Sequence, residues 1–337
     1  MSIPTETTLT RKNFISDQDV RWCPGCGDYA ILAQVQKVFP DLGVPKENFL
    51  IVSGIGCSSR FPYYIDTFGF HSIHGRATPL ATGAKLANPD LSVWVVTGDG
   101  DSMSIGGNHF IHILRRNLDI NILLFNNEVY GLTKGQYSPT SAQGHISKST
   151  PFGSVDYPFN PPQLALGAGG TFIARGIDRE QKHLQNLLKE AHHHSGTTFV
   201  EIYQNCWVFN DGAFANLTDR ELKMETQLIL EHGNPMIFGK ERNKGMRLAG
   251  AKLEVVEIGE TSSIDDILVH DETNKIQGLL LSELTHKDGF PTPIGIIYRE
   301  EKPTYENLMY DQMDKAVNSQ GEGDLDTLFR NSHTWKV

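Results

Sequence analysis

This sequence has little cysteine, no long apolar segment and no excess of basic residues. Four of its 337 residues are cysteine, and in so long a chain four cysteines cannot form a disulfide scaffold. The longest apolar runs, near 92–97 and 121–125, fall far short of the roughly 20 residues that span a membrane. The formal net charge of -10 argues against nucleic acid as the main partner. We therefore expect neither a membrane protein nor a nucleic-acid-binding protein.

The N-terminal residues contain no apolar segment and no cleavage signal of the kind that exported proteins carry. We therefore expect the chain in the cytoplasm, under reducing conditions. Cysteines in that compartment serve as metal ligands, catalytic thiols or buried apolar side chains rather than as disulfides.

The apolar pattern predicts the fold class. Continuous apolar runs predict buried strands, and segments with helical apolar spacing predict helices between them. The strands are expected at 49–52, 93–96, 120–125, 171–174 and 198–203, and the helices at 28–39, 78–86, 105–116 and 180–194. This alternation predicts an α/β domain whose mostly parallel sheet is flanked by helices on both faces.

Three parts are expected along the chain. Residues 1–20 are polar and predict an extended N-terminal arm, and residues 21–218 carry the α/β pattern. Beyond 219 the pattern loosens, with possible strands at 253–258 and 295–298 and a helix at 305–317. We expect residues 219–337 to form a C-terminal extension that makes packing or subunit contacts.

The strongest local signal is GDGD at 98–101 followed by NN at 126–127, each after a buried strand. Asp99 and Asn127 then lie at the carboxyl edge of neighbouring strands, where α/β sheets bind ligands. A carboxylate, an amide oxygen and a nearby backbone carbonyl suit Mg²⁺ with a phosphorylated ligand. The combination matches the thiamine diphosphate signature.

These motifs have two alternative interpretations. The first is a tight turn with an aspartate cap and an asparagine that ends a strand. The second is a nicotinamide site, but Met103 and Ser59 stand where its fingerprint needs a third glycine.

The cysteines form the second signal. Cys23 and Cys26 make a C-x₂-C pair before a helix, while Cys57 and Cys206 each follow a predicted strand. Four thiolates at one edge of the sheet suit a structural Zn²⁺ or a [4Fe–4S] cluster. A C-x-x-C redox pair would not require the other two cysteines. Spacing alone favours the cluster over zinc, with unrelated thiols as a third possibility.

Six motifs together resemble one family in its own order. They are CPGCG at 23–27, GIGCSSR at 54–60, HGR at 74–76, GDGD at 98–101, NNEVYGLTKGQ at 126–136 and YQNC at 203–206. They look like the β subunit of 2-oxoacid:ferredoxin oxidoreductases over about residues 20–215. The resemblance implies a domain that binds thiamine diphosphate, Mg²⁺ and one [4Fe–4S] cluster within residues 21–218.

The same resemblance assigns residues to these groups. It assigns the cluster to Cys23, Cys26, Cys57 and Cys206, and Mg²⁺ to Asp99, Asn127 and the carbonyl of Val129. It assigns thiamine diphosphate contacts to Ile55, Gly56, Cys57, Ser58, His74, Gly100, Asp101, Gly131 and Leu132. Capping of the following helix is the alternative role of Asp101.

The activity that the resemblance implies is the oxidative decarboxylation of a 2-oxoacid. Electrons pass through the cluster to ferredoxin, and coenzyme A takes the acyl group. An α subunit is expected to supply the other half of the thiamine site, because the α/β pattern here covers one such domain. A non-oxidative thiamine-dependent decarboxylase or ligase would leave the cysteines unexplained. A zinc-stabilised interaction module would leave GDG and NN unexplained.

Two cations predict the substrate. Pyruvate-type relatives tend to read TGGQ where this chain reads TKGQ. Lys134 therefore adds a positive charge beside the expected 2-oxoacid, and Arg60 is a second candidate cation there. A second cation favours a dicarboxylate. SSRFPYY at 58–64 and KGQYSPTS at 134–141 also resemble the 2-oxoglutarate branch, so we expect 2-oxoglutarate. Pyruvate or a broad 2-oxoacid range is the alternative, with Lys134 as a solvated loop residue.

Overall fold

An eight-stranded sheet runs through the computed structural model, which describes residues 9–259, 262–286, 290–330 and Trp335. Its strands are β1 (Phe49–Ser53), β2 (Phe68–His71), β3 (Ser92–Gly98), β4 (Ile120–Asn126), β5 (Phe172–Ile177), β6 (Thr198–Tyr203), β7 (Gln227–Ile229) and β11 (Thr292–Arg299). They lie in the order β2-β1-β3-β4-β6-β5-β11-β7. Within the described residues every pairing in this sheet is parallel except that of β5 with β11. The predicted α/β class with a mostly parallel sheet is confirmed.

A small antiparallel sheet lies within the C-terminal third. It contains β8 (Ile237–Phe238), β9 (Lys244–Ala249) and β10 (Lys252–Glu257), in the order β10-β9-β8.

The helices connect the strands and cover the main sheet. They are α1 (Asp28–Val38), α2 (Phe61–Tyr64), α3 (Ala77–Ala87), α4 (Asp99–Met103), α5 (Gly107–Arg116), α6 (Pro161–Gly167), α7 (Gln181–His193), α8 (Ala215–Thr218), α9 (Lys223–Thr226), α10 (Lys275–Glu283), α11 (Tyr305–Gln320) and α12 (Leu325–Phe329). Short 3₁₀ turns occupy Arg11–Phe14, Phe39–Leu42, Lys46–Asn48, Ser58–Arg60 and Ile264–Asp266. Within the described part of the chain, no helix is long and apolar enough to cross a membrane.

Two apolar cores bury the two faces of the main sheet. Along β3, Val93 and Val95 enter one core, whereas Trp94 and Val96 enter the other. Helices α3 and α5 pack on the first face, and α1 and α7 pack on the second. Because both faces are covered, the strands are apolar at nearly every position instead of alternating, which is why continuous apolar runs predicted them.

The sheet order places the sequence motifs on one edge. Strands β1, β3, β4 and β6 are neighbours, and they run parallel. The loops after them carry the motifs at 54–60, 98–101, 126–136 and 203–206 respectively. All four loops therefore leave the carboxyl edge of the sheet side by side, which is where α/β proteins bind their ligands.

The structure differs from the sequence expectations in three places. Residues 98–101 do not form an isolated tight turn, because α4 begins directly at Asp99, and the next helix begins at Gly107 rather than at 105. The N-terminal arm includes a 3₁₀ turn, and Phe14 within it is fully buried against two phenylalanine rings. Strands β7 and β11, from the segment beyond 219, join the main sheet. The expected subunit contacts of that segment stay a prediction.

Candidate active site

A cavity of about 140 Å³ opens at the carboxyl edge of the sheet, between the loops at 54–60 and 74–76, residues 98–101 and the turn at 126–136. The residues assigned from the resemblance to Mg²⁺ and thiamine diphosphate all line it: Asp99, Asn127, Val129, Ile55, Gly56, Cys57, Ser58, His74, Gly100, Asp101, Gly131 and Leu132. Two larger clefts, of about 780 and 710 Å³, share lining residues with this cavity. The fold thus brings the predicted residues together, while their roles toward a cofactor stay predictions.

The Asp101 carboxylate fastens two of these loops to each other. Its Oδ1 accepts hydrogen bonds from the backbone N–H groups of Ile55 (3.1 Å) and Gly75 (2.7 Å) and from His74 Nδ1 (2.6 Å). Its Oδ2 accepts one from Thr97 Oγ1 (2.8 Å). These partners lie outside the helix that follows, so the structure supports a role in shaping the cavity more than the alternative of capping that helix.

The Asp99 carboxylate has a different environment. It is buried, and Oδ2 accepts hydrogen bonds from Ser138 Oγ (2.5 Å) and Thr140 Oγ1 (2.6 Å). Burial raises the pKa of Asp99 to about 6, although the two hydroxyls act in the opposite direction. Among the described residues no cationic side chain pairs with it. A buried carboxylate that faces a cavity without a cationic partner fits a bound divalent cation.

The turn after β4 supplies the other oxygen donors. Asn127 Nδ2 donates to Gln204 Oε1 (2.9 Å), and its Oδ1 accepts from the backbone N–H of Val129 (3.2 Å). That amide oxygen keeps a second lone pair for another partner. Oxygen donors from a carboxylate, an amide and a backbone carbonyl are the set that Mg²⁺ prefers.

Two of the glycines that line the cavity, Gly100 and Gly56, occupy positions that do not readily accept a side chain. Tyr130 Oη donates to the carbonyl of Gly100 (3.1 Å), and a Cβ at Gly100 would overlap the Tyr130 ring. Gly56 has a φ of 137°, a conformation that other residues rarely adopt. The backbone therefore comes close to the cavity at both positions, as phosphate binding requires.

The four cysteines are free thiols, and their loops meet beside this cavity. A Cβ built on Gly131 would lie 3.5 Å from Cys206 Sγ and 3.8 Å from Cys57 Sγ. Gln204 Nε2 lies 3.4 Å from Cys26 Sγ, and Cys23 is exposed. Cys57 belongs to both places, because it also lines the cavity.

The environment of the thiols is apolar and anionic. Burial raises the pKa of the Cys57 thiol to about 12, and it raises the pKa of Cys26 still further. Asp28, whose two carboxylate oxygens are buried without a nitrogen or oxygen partner, raises the pKa of both thiols as well. Within the described residues no three His, Cys, Asp or Glu side chains are arranged to hold a single metal ion.

The two predicted substrate cations differ in position. Arg60 lines the 710 Å³ cleft together with Ile55, Gly56 and Leu132, and its Nη1 donates to the carbonyl of Arg21 (3.0 Å). Lys134 is exposed on a turn with a φ of 79°, and it is not among the residues that line the cavity or the two clefts. Contact with a substrate stays a prediction for both residues.

Several residues that shape the site were not singled out by the sequence. Ser138 and Thr140 donate hydrogen bonds to Asp99, and Gln204 accepts one from Asn127. His286 forms a hydrogen bond with Glu128 in the turn after β4. The hydroxyl residues lie in the KGQYSPTS stretch, so its resemblance to the 2-oxoglutarate branch was the available signal. His286 lies in a segment without a motif.

Comparison with known proteins defines the class first. Residues 54–202 match the family described as "Thiamine pyrophosphate enzyme, C-terminal TPP binding domain". The matched range begins at the Ile55 loop and ends within β6, so it contains the cavity and the two proposed Mg²⁺ side chains. The fold is that of a thiamine-diphosphate-binding enzyme domain.

Individual relatives define the family. The chain is 49% identical to the 2-oxoglutarate oxidoreductase subunit KorB of Mycobacterium tuberculosis, over 99% of this chain and 90% of that protein. It is 49% identical to the 2-oxoacid:ferredoxin oxidoreductase 2 subunit beta of Aeropyrum pernix, over 57% of this chain and 62% of that one. A solved structure of 2-oxoglutarate:ferredoxin oxidoreductase from Magnetococcus marinus, with 2-oxoglutarate, coenzyme A and succinyl-CoA bound, has a TM-score of 0.76 and 31% identity, and the match covers 97% of each chain. The chain belongs to the family of β subunits of 2-oxoacid:ferredoxin oxidoreductases, which confirms the resemblance of its motifs.

Proposed function

We propose that this chain is the β subunit of a 2-oxoglutarate:ferredoxin oxidoreductase. With an α subunit, the enzyme would convert 2-oxoglutarate and coenzyme A to succinyl-CoA and CO₂, and its electrons would pass to ferredoxin. The observation that carries the proposal is the single cavity that gathers the predicted cofactor residues and shares Cys57 with the cysteine cluster. The names of the Mycobacterium tuberculosis and Magnetococcus marinus relatives support the choice of 2-oxoacid.

Thiamine diphosphate and Mg²⁺ fit the cavity described above. Asp99, Asn127 and the carbonyl of Val129 would hold the metal, and Gly100 lets the backbone approach the diphosphate. When bound, thiamine diphosphate supplies a group that takes up the electron pair left by departing CO₂. The cavity of about 140 Å³ shares lining residues with the clefts of about 780 and 710 Å³, so a cofactor larger than the cavity would extend into one of these clefts.

The cysteines fit a [4Fe–4S] cluster better than zinc. A zinc ion needs its thiolates to converge on one point at about 2.3 Å. The sequence spacing supports the cluster, because zinc sites usually have two close pairs of ligands and only Cys23 and Cys26 are close here. In a cluster each thiolate binds a different iron atom, so the sulfurs lie further apart. When bound, the cluster supplies one-electron transfer, and Cys57 would place it against the thiamine cavity.

Arg60 and Lys134 are proposed to favour the second carboxylate of 2-oxoglutarate. A charge-assisted hydrogen bond contributes about 1.5–3 kcal/mol, which is roughly ten- to a hundredfold in selectivity. Arg60→Ala should therefore lower kcat/KM for 2-oxoglutarate more than for pyruvate. Lys134→Gly should do the same, and Lys134→Gln removes the charge while it keeps a Cβ at a positive φ. Equal losses for both acids would contradict the substrate assignment alone.

The deciding experiment uses the α/β complex, co-expressed and purified without oxygen. A panel of 2-oxoacids is tested for coenzyme A-dependent ferredoxin reduction, and iron, acid-labile sulfide and thiamine diphosphate are measured per complex. We expect 2-oxoglutarate to be preferred, with four iron atoms per β chain. A complex that contains zinc instead of iron would overturn the cluster assignment. A preference for pyruvate would favour the second candidate, a general 2-oxoacid enzyme, which the name of the Aeropyrum pernix relative supports.

The assigned ligands can be tested one by one. Cys23→Ser, Cys57→Ser and Cys206→Ser should each lower the iron content, because a serine hydroxyl replaces a thiolate poorly on iron. Asp99→Ala should lose Mg²⁺-dependent thiamine diphosphate binding while the iron content stays unchanged. Unchanged iron in all three serine variants would contradict the proposed ligands.

A further inference from the structure

Glu128 lies between two of the proposed Mg²⁺ ligands, in a backbone conformation that is unusual for its type. Its φ is 56°, in the left-handed region that residues with a Cβ rarely adopt. The residues on either side, Asn127 and Val129, both line the cofactor cavity. The reversal of the chain at Glu128 is therefore what lets both neighbours face the same cavity.

The side chain of Glu128 is directed away from that cavity. Its Oε1 accepts a hydrogen bond from His286 Nε2 at 2.8 Å, and both side chains are buried. Because a carboxylate only accepts, Nε2 of His286 is the donor in this contact. Both residues line a separate cavity of about 320 Å³ behind the turn.

His286 is itself fixed by its surroundings. Its ring packs edge-on against Phe214 and Tyr203, with centroids 4.8 and 5.4 Å away. Its carbonyl accepts a hydrogen bond from Asn216 Nδ2 at 3.0 Å. The imidazole therefore offers Glu128 a partner at a defined position.

The turn is also held at its backbone. Ser141 Oγ donates to the carbonyl of Glu128 (2.5 Å), and Asn210 Nδ2 donates to the carbonyl of Asn127 (2.9 Å). These bonds fix the peptide groups, while the contact with His286 fixes the side chain of the strained residue. Strain of this kind persists only where the surroundings over-determine it, and it concentrates at functional sites.

We propose that Glu128 and His286 are a positioning pair for the metal turn. Their contact holds Glu128 in the left-handed conformation, so that the Asn127 side chain and the Val129 carbonyl converge on one cation. The inference rests on the proposed function, because it deepens the Mg²⁺ assignment. It also gives the segment beyond 219 a part in the site, since His286 lies there.

The test measures how thiamine diphosphate binding to the α/β complex depends on the Mg²⁺ concentration. Binding is measured by calorimetry, and no 2-oxoacid is present. Loss of residues that orient metal ligands typically weakens metal affinity 10–100-fold. We expect Glu128→Ala and His286→Ala each to raise the half-saturating Mg²⁺ concentration by about that factor. Glu128→Gln keeps an acceptor for His286 and should stay close to the wild type. Glu225→Ala, which removes a surface ion pair with Lys244, is the matched control.

The outcomes separate this inference from the proposed function. A wild-type complex that binds no thiamine diphosphate with Mg²⁺ would overturn both. Wild-type binding together with unchanged Mg²⁺ dependence in both alanine variants would overturn the positioning role alone. Lower melting temperatures with unchanged Mg²⁺ affinity would overturn it too, because a purely structural contact gives that result. If His286→Ala does not fold, the comparison of Glu128→Ala with Glu128→Gln decides.

Discussion

Replacing either carboxylate of the GDGD motif with alanine should have a different main effect: one change affects the stability of the fold and the other affects cofactor binding. Asp101 accepts four hydrogen bonds that join separate loops, two of them from backbone N–H groups of Ile55 and Gly75. Asp99 accepts from two hydroxyls and faces the cavity. We predict that Asp101→Ala destabilises the cofactor-free chain strongly, whereas Asp99→Ala mainly removes cofactor binding.

The expected loss of unfolding free energy depends on which hydrogen-bond donors each substitution leaves without an acceptor. At Asp101 two backbone N–H groups lose their acceptor, and an unsatisfied buried donor costs about 1–3 kcal/mol. Asp101→Ala should therefore lower the free energy of unfolding by about 2–6 kcal/mol, a large share of the roughly 5–15 kcal/mol of a typical protein. Asp101→Asn keeps one oxygen for the N–H groups and should lose about 1–3 kcal/mol.

Asp99→Ala should cost the fold much less. The Thr140 hydroxyl already lies 2.9 Å from Asn126 Oδ1, and the Ser138 hydroxyl lies 3.3 Å from Ser141 Oγ. Both hydroxyls can rotate toward these neighbours, so only the Gly100 N–H, which also donates to the Asp99 carboxylate, loses its acceptor. Because one backbone donor is affected here and two are affected at Asp101, we expect a smaller loss, of about 1 kcal/mol, in the free energy of unfolding.

The assay is urea unfolding of the cofactor-free chain, followed by far-ultraviolet circular dichroism, with thiamine diphosphate binding measured in parallel on the α/β complex. The expected order of stability is wild type, Asp99→Ala, Asp101→Asn and then Asp101→Ala. An Asp101→Ala chain within about 1 kcal/mol of the wild type would refute the argument, because the N–H groups would then have found other partners. So would an Asp99→Ala chain that is the less stable of the two alanine variants.

Three further predictions concern other parts of the molecule. Gly131→Ala places a methyl group between two cysteine sulfurs, so it should lower the iron per complex without lowering the free energy of unfolding. The control Gly83→Ala, in open space on helix α3, should leave the iron unchanged and raise the free energy of unfolding by about 1 kcal/mol. Burial lowers the pKa of His270 in the folded chain. Neutral His270 therefore stabilises the fold above its unfolded pKa of about 6.5, and this contribution is lost as the pH falls. Between pH 7 and 5 the free energy of unfolding should consequently fall less in His270→Gln than in the wild type. Arg175 and Glu201 form a fully buried ion pair, and Arg175→Met should lower the free energy of unfolding by about 3–5 kcal/mol in urea. Glu201→Leu in the same chain should restore only part of this loss, because Asn126 Nδ2 then loses its acceptor and the Leu284 carbonyl has lost its donor. An Arg175→Met variant as stable as the wild type would contradict this.

The gathering of the cofactor residues could be predicted because it needs only the sheet. Asp99 follows β3 and Asn127 follows β4, and these strands are parallel neighbours. Once each strand was read from its apolar run, the two side chains had to emerge at the same edge. The Ile55 and Cys206 loops follow β1 and β6 by the same rule.

The two edges of the sheet could not be predicted in the same way. β2 reads FGFH and is exposed along its length at the sheet edge, so it gives no apolar run. The region of β11 was expected as a strand, but its antiparallel place beside β5 depends on long connections that leave no local pattern. Two strands of the predicted C-terminal extension, β7 and β11, therefore belong to the main sheet. No motif in the sequence of this segment indicated a functional role.

The contacts that tune the site were out of reach for a further physical reason. Ser138, Thr140 and His286 act through side-chain hydrogen bonds made from irregular segments, where no periodicity predicts which way a side chain faces. His286 meets Glu128 across 158 positions of sequence. Short motifs at strand ends indicate which atoms could bind a metal and a diphosphate, but the positions of those atoms depend on distant partners. The clearest sign of such a partner is the strained φ of Glu128, which only a structure reveals.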